Sequence, residues 1–182
     1  MKKLFFITLI LLSLFSQKSI SETFTMDELV LRNDLYYKKF TNIPFTGKVS
    51  DIKSGNIVNG KKNGEWISYY GNGQLSEIII YKNGKIESNE FYYENGQLID
   101  KLKYKDGKEH GIQIRTDRYG NRYHENYKDG IEHGLSEGYF SSGNLMYTGS
   151  YKDGKKNGLW EYYFKDGSIE KTETWKNGIK QN

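Results

Sequence analysis

Tyr151-Lys152-Asp153-Gly154-Lys155-Lys156-Asn157-Gly158-Leu159-Trp160 decides the fold, because the chain keeps returning to it. A Lys-Asn-Gly or Lys-Asp-Gly element ends at Gly84, Gly107, Gly130, Gly154 and Gly178, at spacings of 23, 23, 24 and 24 residues. Gly60, preceded by Asn59, extends the series backwards by 24 residues. Five units follow, at 60–83, 84–106, 107–129, 130–153 and 154–177. A second turn signal falls inside each, at Asn72-Gly73, Asn95-Gly96, Tyr119-Gly120, Ser142-Gly143 and Asp166-Gly167. Two turns per unit imply two strands per unit. The runs between them, such as Trp66-Ile67-Ser68-Tyr69-Tyr70 and Glu77-Ile78-Ile79-Ile80-Tyr81, have strand length and are rich in aromatic and β-branched residues.

Each unit therefore reads as a β-hairpin, with glycine supplying the positive φ of the turn. In the second strands, Leu75, Ile79 and Tyr81 share a face by period two, as do Leu98, Leu102 and Tyr104, then Leu145, Tyr147 and Tyr151. An aromatic closes that strand in every unit, at Tyr81, Tyr104, Tyr127, Tyr151 and Trp175, which predicts a ladder of rings along the array. A lone hairpin is marginal in water, so the units must pair edge to edge. The predicted fold is all-β: an elongated, single-layer, twisted antiparallel sheet of stacked hairpins. Leu29-Val30-Leu31-Arg32, Asn33-Asp34 and Leu35-Tyr36-Tyr37 read as a tight capping hairpin within residues 22–44, whose lead-in segment contains the only proline, Pro44. Residues 45–59 look like a shortened unit, and Gly178 to Asn182 end the array without a visible cap.

Residues 1–21 are set apart. Lys2 and Lys3 precede the apolar run Leu4 to Phe15, and Ser19-Ile20-Ser21 follows, which is the pattern of a secretory signal. Twelve residues are too few to span a bilayer, which takes about 20. This leader is expected to form the signal helix and to direct the protein to the periplasm, the cell surface or the medium. Its removal deletes Lys2, Lys3 and Lys18 and no acid, lowering the formal charge from +4 to +1. So nearly neutral a chain lacks the attraction that nucleic acid or an anionic membrane surface exerts on basic proteins. The chain has no Cys, which excludes disulfides, thiol chemistry and a lipid-modified cysteine. It also has no Ala, which speaks against a helical bundle.

Gly60-Lys61-Lys62-Asn63-Gly64-Glu65-Trp66 and Tyr69-Tyr70-Gly71-Asn72-Gly73-Gln74-Leu75, with the opening stretch, resemble the MORN repeat in its longer bacterial variant, and chains of this make-up are grouped as YwqK-type antitoxins. The resemblance spans about residues 45–178 and implies a binding or scaffolding sheet with no catalytic motif. Ser88 stands where other units have Gly64, Gly111, Gly134 and Gly158, and the 107–129 unit lacks the Asn-Gly-x-Leu phrase.

Catalytic chemistry finds no support in the residues. His110 and His133 occupy one repeat position in adjacent units, about 10 Å apart, too far to share a zinc ion bound at about 2 Å. Asn63 and Asn157 fill the same slot, which suggests a turn position tolerant of left-handed backbone. No Ser or Thr stands in a nucleophile context, and Gly60-Lys61-Lys62-Asn63-Gly64 lacks the length and ending of a phosphate loop. The expectation is a non-enzymatic protein without cofactor or metal.

Recognition remains, and the repeat is most broken in its middle unit. Arg115, Arg118 and Arg122 are three of only four arginines and lie within eight residues. Arg115 stands where other units have Ser68, Phe91, Gly138 and Tyr162; Asp117 stands where they have Tyr70, Tyr93, Phe140 and Phe164. Counting back from Tyr127 puts Tyr123 on the ladder face and Arg122 with His124 on the other. Arg and Tyr are enriched at binding hot spots, so Arg115, Arg118, Arg122, Tyr123 and His124, with Trp66 and Trp160 as exposed platforms, are the candidate partner-binding residues. The alternative is an altered repeat in which Arg115 pairs with Asp117. A protein partner is the first expectation, with an antitoxin-like or immunity-like role conceivable on the resemblance; envelope glycan bound on the aromatic rings is the second.

Overall fold

The computed structural model describes residues 23–182 and contains one 16-stranded sheet and one separate two-stranded hairpin. The leader at residues 1–21 and its expected helix lie outside the described residues. Strand β1 (Thr23–Phe24) leads into a single 3₁₀ turn at Met26–Glu28, and β2 (Leu29–Arg32) and β3 (Leu35–Lys38) form the hairpin. The main sheet then runs through β4 (Gly47–Val49), β5 (Lys53–Val58), β6 (Lys61–Tyr69), β7 (Leu75–Lys82), β8 (Lys85–Tyr92) and β9 (Leu98–Lys105). It continues as β10 (Lys108–Glu109), β11 (Gly111–Thr116), β12 (Arg122–Lys128), β13 (Ile131–Tyr139) and β14 (Leu145–Lys152). β15 (Lys155–Lys156), β16 (Gly158–Tyr163), β17 (Ile169–Lys176) and β18 (Ile179–Lys180) complete it. Neighbours in sequence are neighbours in space, every pairing is antiparallel except that of β1 with β4, and the sheet does not close.

The turn chemistry explains this order. Asn83-Gly84, Asp106-Gly107, Asp129-Gly130, Asp153-Gly154 and Asn177-Gly178 each place two successive residues at positive φ, near 50° and then 75–86°. That is the type I′ geometry whose twist suits a two-residue hairpin. Asn59-Gly60, the weakest match in the sequence series, has the same geometry and opens the array. At the opposite edge the loops repeat a second pattern, in which the amides of Tyr70, Tyr93, Asp117, Phe140 and Phe164 donate to the carbonyls of Gln74, Gln97, Asn121, Asn144 and Ser168. Successive units are also tied along the first edge: the turn amides of Gly84, Gly130, Gly154 and Gly178 donate to the carbonyls of Lys62, Glu109, Glu132 and Lys156 at 2.8–2.9 Å.

Asn63, His110, His133 and Asn157 have a role other than left-handed backbone, which falls to the glycine after each of them. Their side chains accept the amide of the next turn, from Asn83, Asp129, Asp153 and Asn177. A His Nδ1 and an Asn Oδ1 can both accept there, and the Nδ1 of His110 and of His133 also lies 3.3 and 3.2 Å from the carboxylate of the same turn residue, Asp129 or Asp153.

Packing is thickest at the start. Phe24, Leu29, Phe45, Val49, Ile57 and Trp66 form the buried cluster, with Met26, Tyr36, Ile79 and Tyr81 against it. The cap joins the array through the Gly60 turn, where Tyr36 N–H donates to the Gly60 carbonyl and Gly60 N–H to the Phe45 carbonyl. The far end is tied as well: β18 pairs with β17, and the Gln181 amide reaches the Thr174 carbonyl at 2.8 Å.

Gly149 has ordinary backbone geometry, yet a Cβ built on it would stand 2.1 Å from the Trp160 ring. Gly149→Ala is expected to lose about 1–3 kcal/mol in urea unfolding through forced displacement of the indole. Gly71→Ala, which meets nothing within 4 Å, is the control and should change stability by less than about 0.5 kcal/mol.

Candidate interaction face

Register assigns the two faces of the sheet. One row crosses it as Trp66, Ile79, Asn89, Leu102, Gln113, Glu125, Ser136, Gly149, Trp160 and Glu173, and this is called the indole face. The ladder residues Tyr81, Tyr104, Tyr127, Tyr151 and Trp175 belong to the same face.

The row opens and closes with the same device. The Trp66 indole covers Gly55 of the preceding strand, where a Cβ would stand 2.4 Å from the ring, and its Nε1 donates to the Asn56 carbonyl at 3.0 Å. Trp160 covers Gly149 and donates to the Ser150 carbonyl at 3.2 Å. Lys62 Nζ lies 4.2 Å from the Trp66 ring centroid and Lys156 Nζ lies 4.1 Å from that of Trp160, both in the range of cation–π attraction. Lys156 also approaches Tyr162 and Trp175 and donates to the Tyr162 hydroxyl at 2.8 Å. Burial beside Trp66 and Tyr81, with Lys53 nearby, holds the Lys62 ammonium below its usual pKa.

The expected ladder is differently built. Two of its five rings contact an indole, Tyr81 against Trp66 at 6.4 Å and Tyr151 against Trp160 at 5.1 Å, both edge-on. Two strands separate one ladder ring from the next, about 10 Å, which is beyond ring contact.

In the three middle units the device is absent. Asn89, Gln113 and Ser136 occupy the tryptophan position, all buried, and the lysine slot counted from the turn glycine holds Ile86, Glu109 and Glu132. Gln113 is fully buried and takes the place of backbone: its Oε1 accepts from Lys103 N–H at 2.8 Å and its Nε2 donates to the Lys103 carbonyl at 3.0 Å. Asn89 hydrogen-bonds Tyr104 through its side chain, while its Oδ1 is buried without a partner among the described residues.

The structure separates the three arginines. Arg115 lies on the indole face, where its guanidinium donates to Glu109 and, at 2.7 Å, to Glu125, 5.5 Å from the Tyr127 ring. Asp117 is not its partner; that carboxylate caps its own turn, accepting from Tyr119, Asn121 and Tyr123. Three carboxylates, Glu109, Glu125 and Glu132, thus surround one guanidinium, and burial together with Glu125 pushes the Glu132 carboxyl up while Arg115 opposes. Arg118 sits in the turn against the Tyr119 ring. Arg122 and His124 share the opposite face, where with Tyr139, Phe140 and Ser141 they line an open cavity of about 370 Å³. Tyr123 stays on the indole face beside Tyr147, at 6.4 Å. Trp66 and Trp160 are 3% and 2% exposed, so neither is the open platform expected of it.

The sequence model of the family described as MORN repeat variant matches this chain at residues 62–88, 89–106, 132–153 and 156–177. The array is a run of MORN repeats. Between the second and third matches lies the unit carrying Gln113, Arg115, Arg118 and Arg122, so the departure from the MORN pattern coincides with the altered centre of the face. The family supports a repeat-based interaction module. No curated protein matches the chain.

Two MORN tyrosines should titrate late. Burial first, then Glu132, pushes the Tyr151 phenol up to about 12, and the hydrogen bond to Glu90 pushes Tyr92 up to about 12 on the opposite face. Both favour the folded state at full strength below pH 10, the unfolded phenol value, and that contribution fades as pH rises from 10 to 12. Absorbance at 295 nm should show tyrosines ionising late in the native protein, with the melting temperature falling across the same interval; a single ionisation step at pH 10 would contradict this.

Proposed function

We propose that this MORN-repeat protein is an exported, non-catalytic binding protein that captures a partner protein on its indole face. The observation carrying the reading is that the sheet is one open layer: Tyr123, Tyr127, Tyr147 and Tyr151 lie half-buried in a row that no second layer of the described residues covers. Aromatic side chains with a polar tip are enriched in protein interfaces because they bury large area at small entropic cost. Export rests on the sequence of residues 1–21, and an immunity-like role would require an exported toxin as the partner.

Arg118, in the turn at the sheet edge, is the arginine placed to orient such a partner, since the Arg115 guanidinium is engaged by Glu109 and Glu125 and Arg122 lies on the opposite face. Recognition of envelope glycan is the competing reading. It would have to use exposed rings such as Tyr119 and Tyr69 rather than the buried Trp66 and Trp160.

A photo-crosslinking benzoylphenylalanine placed at Tyr123, on the indole face, and separately at Leu135, exposed on the opposite face, tests the reading in the producing cell. Tyr123 should label one protein that Leu135 does not. Labelling from Leu135 alone would overturn the face assignment and favour the Arg122 and His124 cavity, and no protein adduct at either position would overturn protein capture.

A further inference from the structure

The two ends of the indole face carry lysines, and its centre holds a single arginine among four carboxylates. Among the described residues, the lysines of this face are Lys53 and Lys62 at one end and Lys156, Lys171 and Lys180 at the other. Across β9 to β13 the other lysines alternate to the opposite face, leaving Asp100, Glu109, Glu125 and Glu132 against the single Arg115. Tyr104, Tyr127 and Tyr151 border these carboxylates, as Tyr81 and Trp175 border the two end lysines.

We propose that the centre of the indole face binds a lysine- or arginine-bearing segment of the partner, with Glu109 and Glu132 receiving the cationic side chains in the slot that Lys62 and Lys156 fill from within the chain. This deepens, and rests on, the protein-capture reading. Three features meet in the same place. The first is the charge: four carboxylates face one guanidinium on a half-buried surface where attraction is screened less than in bulk water. The second is the repeat itself, since an ammonium against rings is what this fold accommodates at that position, as Lys156 demonstrates with Trp160, Tyr162 and Trp175. The third is Asn89, nine-tenths buried in the same row beside Tyr104, whose Oδ1 lacks a donor among the described residues. An orphan acceptor and surplus carboxylates are complementary to N–H-rich cations, the donors that carry charge. No three His, Cys, Asp or Glu among the described residues are placed to hold a metal ion.

The test uses the 182-residue chain and two fluorescein-labelled decapeptides, one alternating lysine with serine and one alternating glutamate with serine, followed by anisotropy at 50 and 300 mM salt. The lysine peptide is expected to bind at least tenfold more tightly than the glutamate peptide, and more weakly at the higher salt. Glu109→Gln with Glu132→Gln should weaken it at least tenfold. Glu132→Lys, which installs the residue that two other units already carry in this slot, should abolish binding with an unchanged circular dichroism spectrum. Glu137→Gln with Glu161→Gln, on the opposite face, should leave binding unchanged. Equal binding of the two peptides, or equal loss from variants on both faces, would overturn the proposal. If the lysine peptide fails while Tyr123 still crosslinks to a protein, the basic-segment inference is wrong and protein capture stands; if both fail, the capture reading falls as well.

Discussion

An indole laid over a glycine, with a lysine ammonium about 4 Å from the ring, is the contact that both ends of this sheet share, joined at the first end by the buried cluster of the cap. A one-layer array has no second sheet to bury its side chains against, so its rows must supply their own cover. At β6 and β16 the cover is Trp66 with Lys62 and Trp160 with Lys156, each made possible by a glycine on the preceding strand, Gly55 or Gly149. The three residues are one unit of design: wherever the tryptophan is missing, the glycine and the lysine are missing too. Asn89 faces Ile79, Gln113 stands beside Leu102 and Ser136 faces Glu125.

The centre of the array consequently depends on polar stitching. Gln113 completes the ladder between β9 and β11 with a side-chain amide that imitates a peptide group, and the Arg115 bridge holds Glu109 and Glu125 together. Buried hydrogen-bond networks of this kind specify geometry but add less stability than packed apolar surface. The same substitution of polar for aromatic cover leaves the middle of the indole face charged and half-buried. The fold and the binding surface are thus two outcomes of one change in the repeat.

Much of this was legible in the sequence. The turns were, because a type I′ hairpin demands Asn-Gly or Asp-Gly locally and nothing distant can replace it, and the unit boundaries followed from them. The separation of Arg122 from Tyr123 was also legible, since strand alternation fixes it. The placement of Arg115 and Arg118 was not: Arg115 is fixed by cross-strand register with Tyr123 and by carboxylates on neighbouring strands, and Arg118 by the conformation of a five-residue loop. The burial of Trp66 and Trp160 escaped for a related reason. Aromatic abundance says nothing of cover, whereas the recurrence of Gly eleven and Lys four residues before each of these two tryptophans would have announced it. The role of His110 and His133 likewise needed the neighbouring turn, because the amide each accepts lies about twenty residues on.

The coupling between ammonium and indole is the claim on which this account turns, and a double-mutant cycle measures it directly. Lys156→Met, Trp160→Leu and the double variant would be compared with the parent in urea unfolding. The two losses should not be additive, with a coupling of about 0.5–2 kcal/mol favouring the native pair. Losses that add to within about 0.3 kcal/mol would contradict it, and would reduce the lysine slot to a solvated surface position.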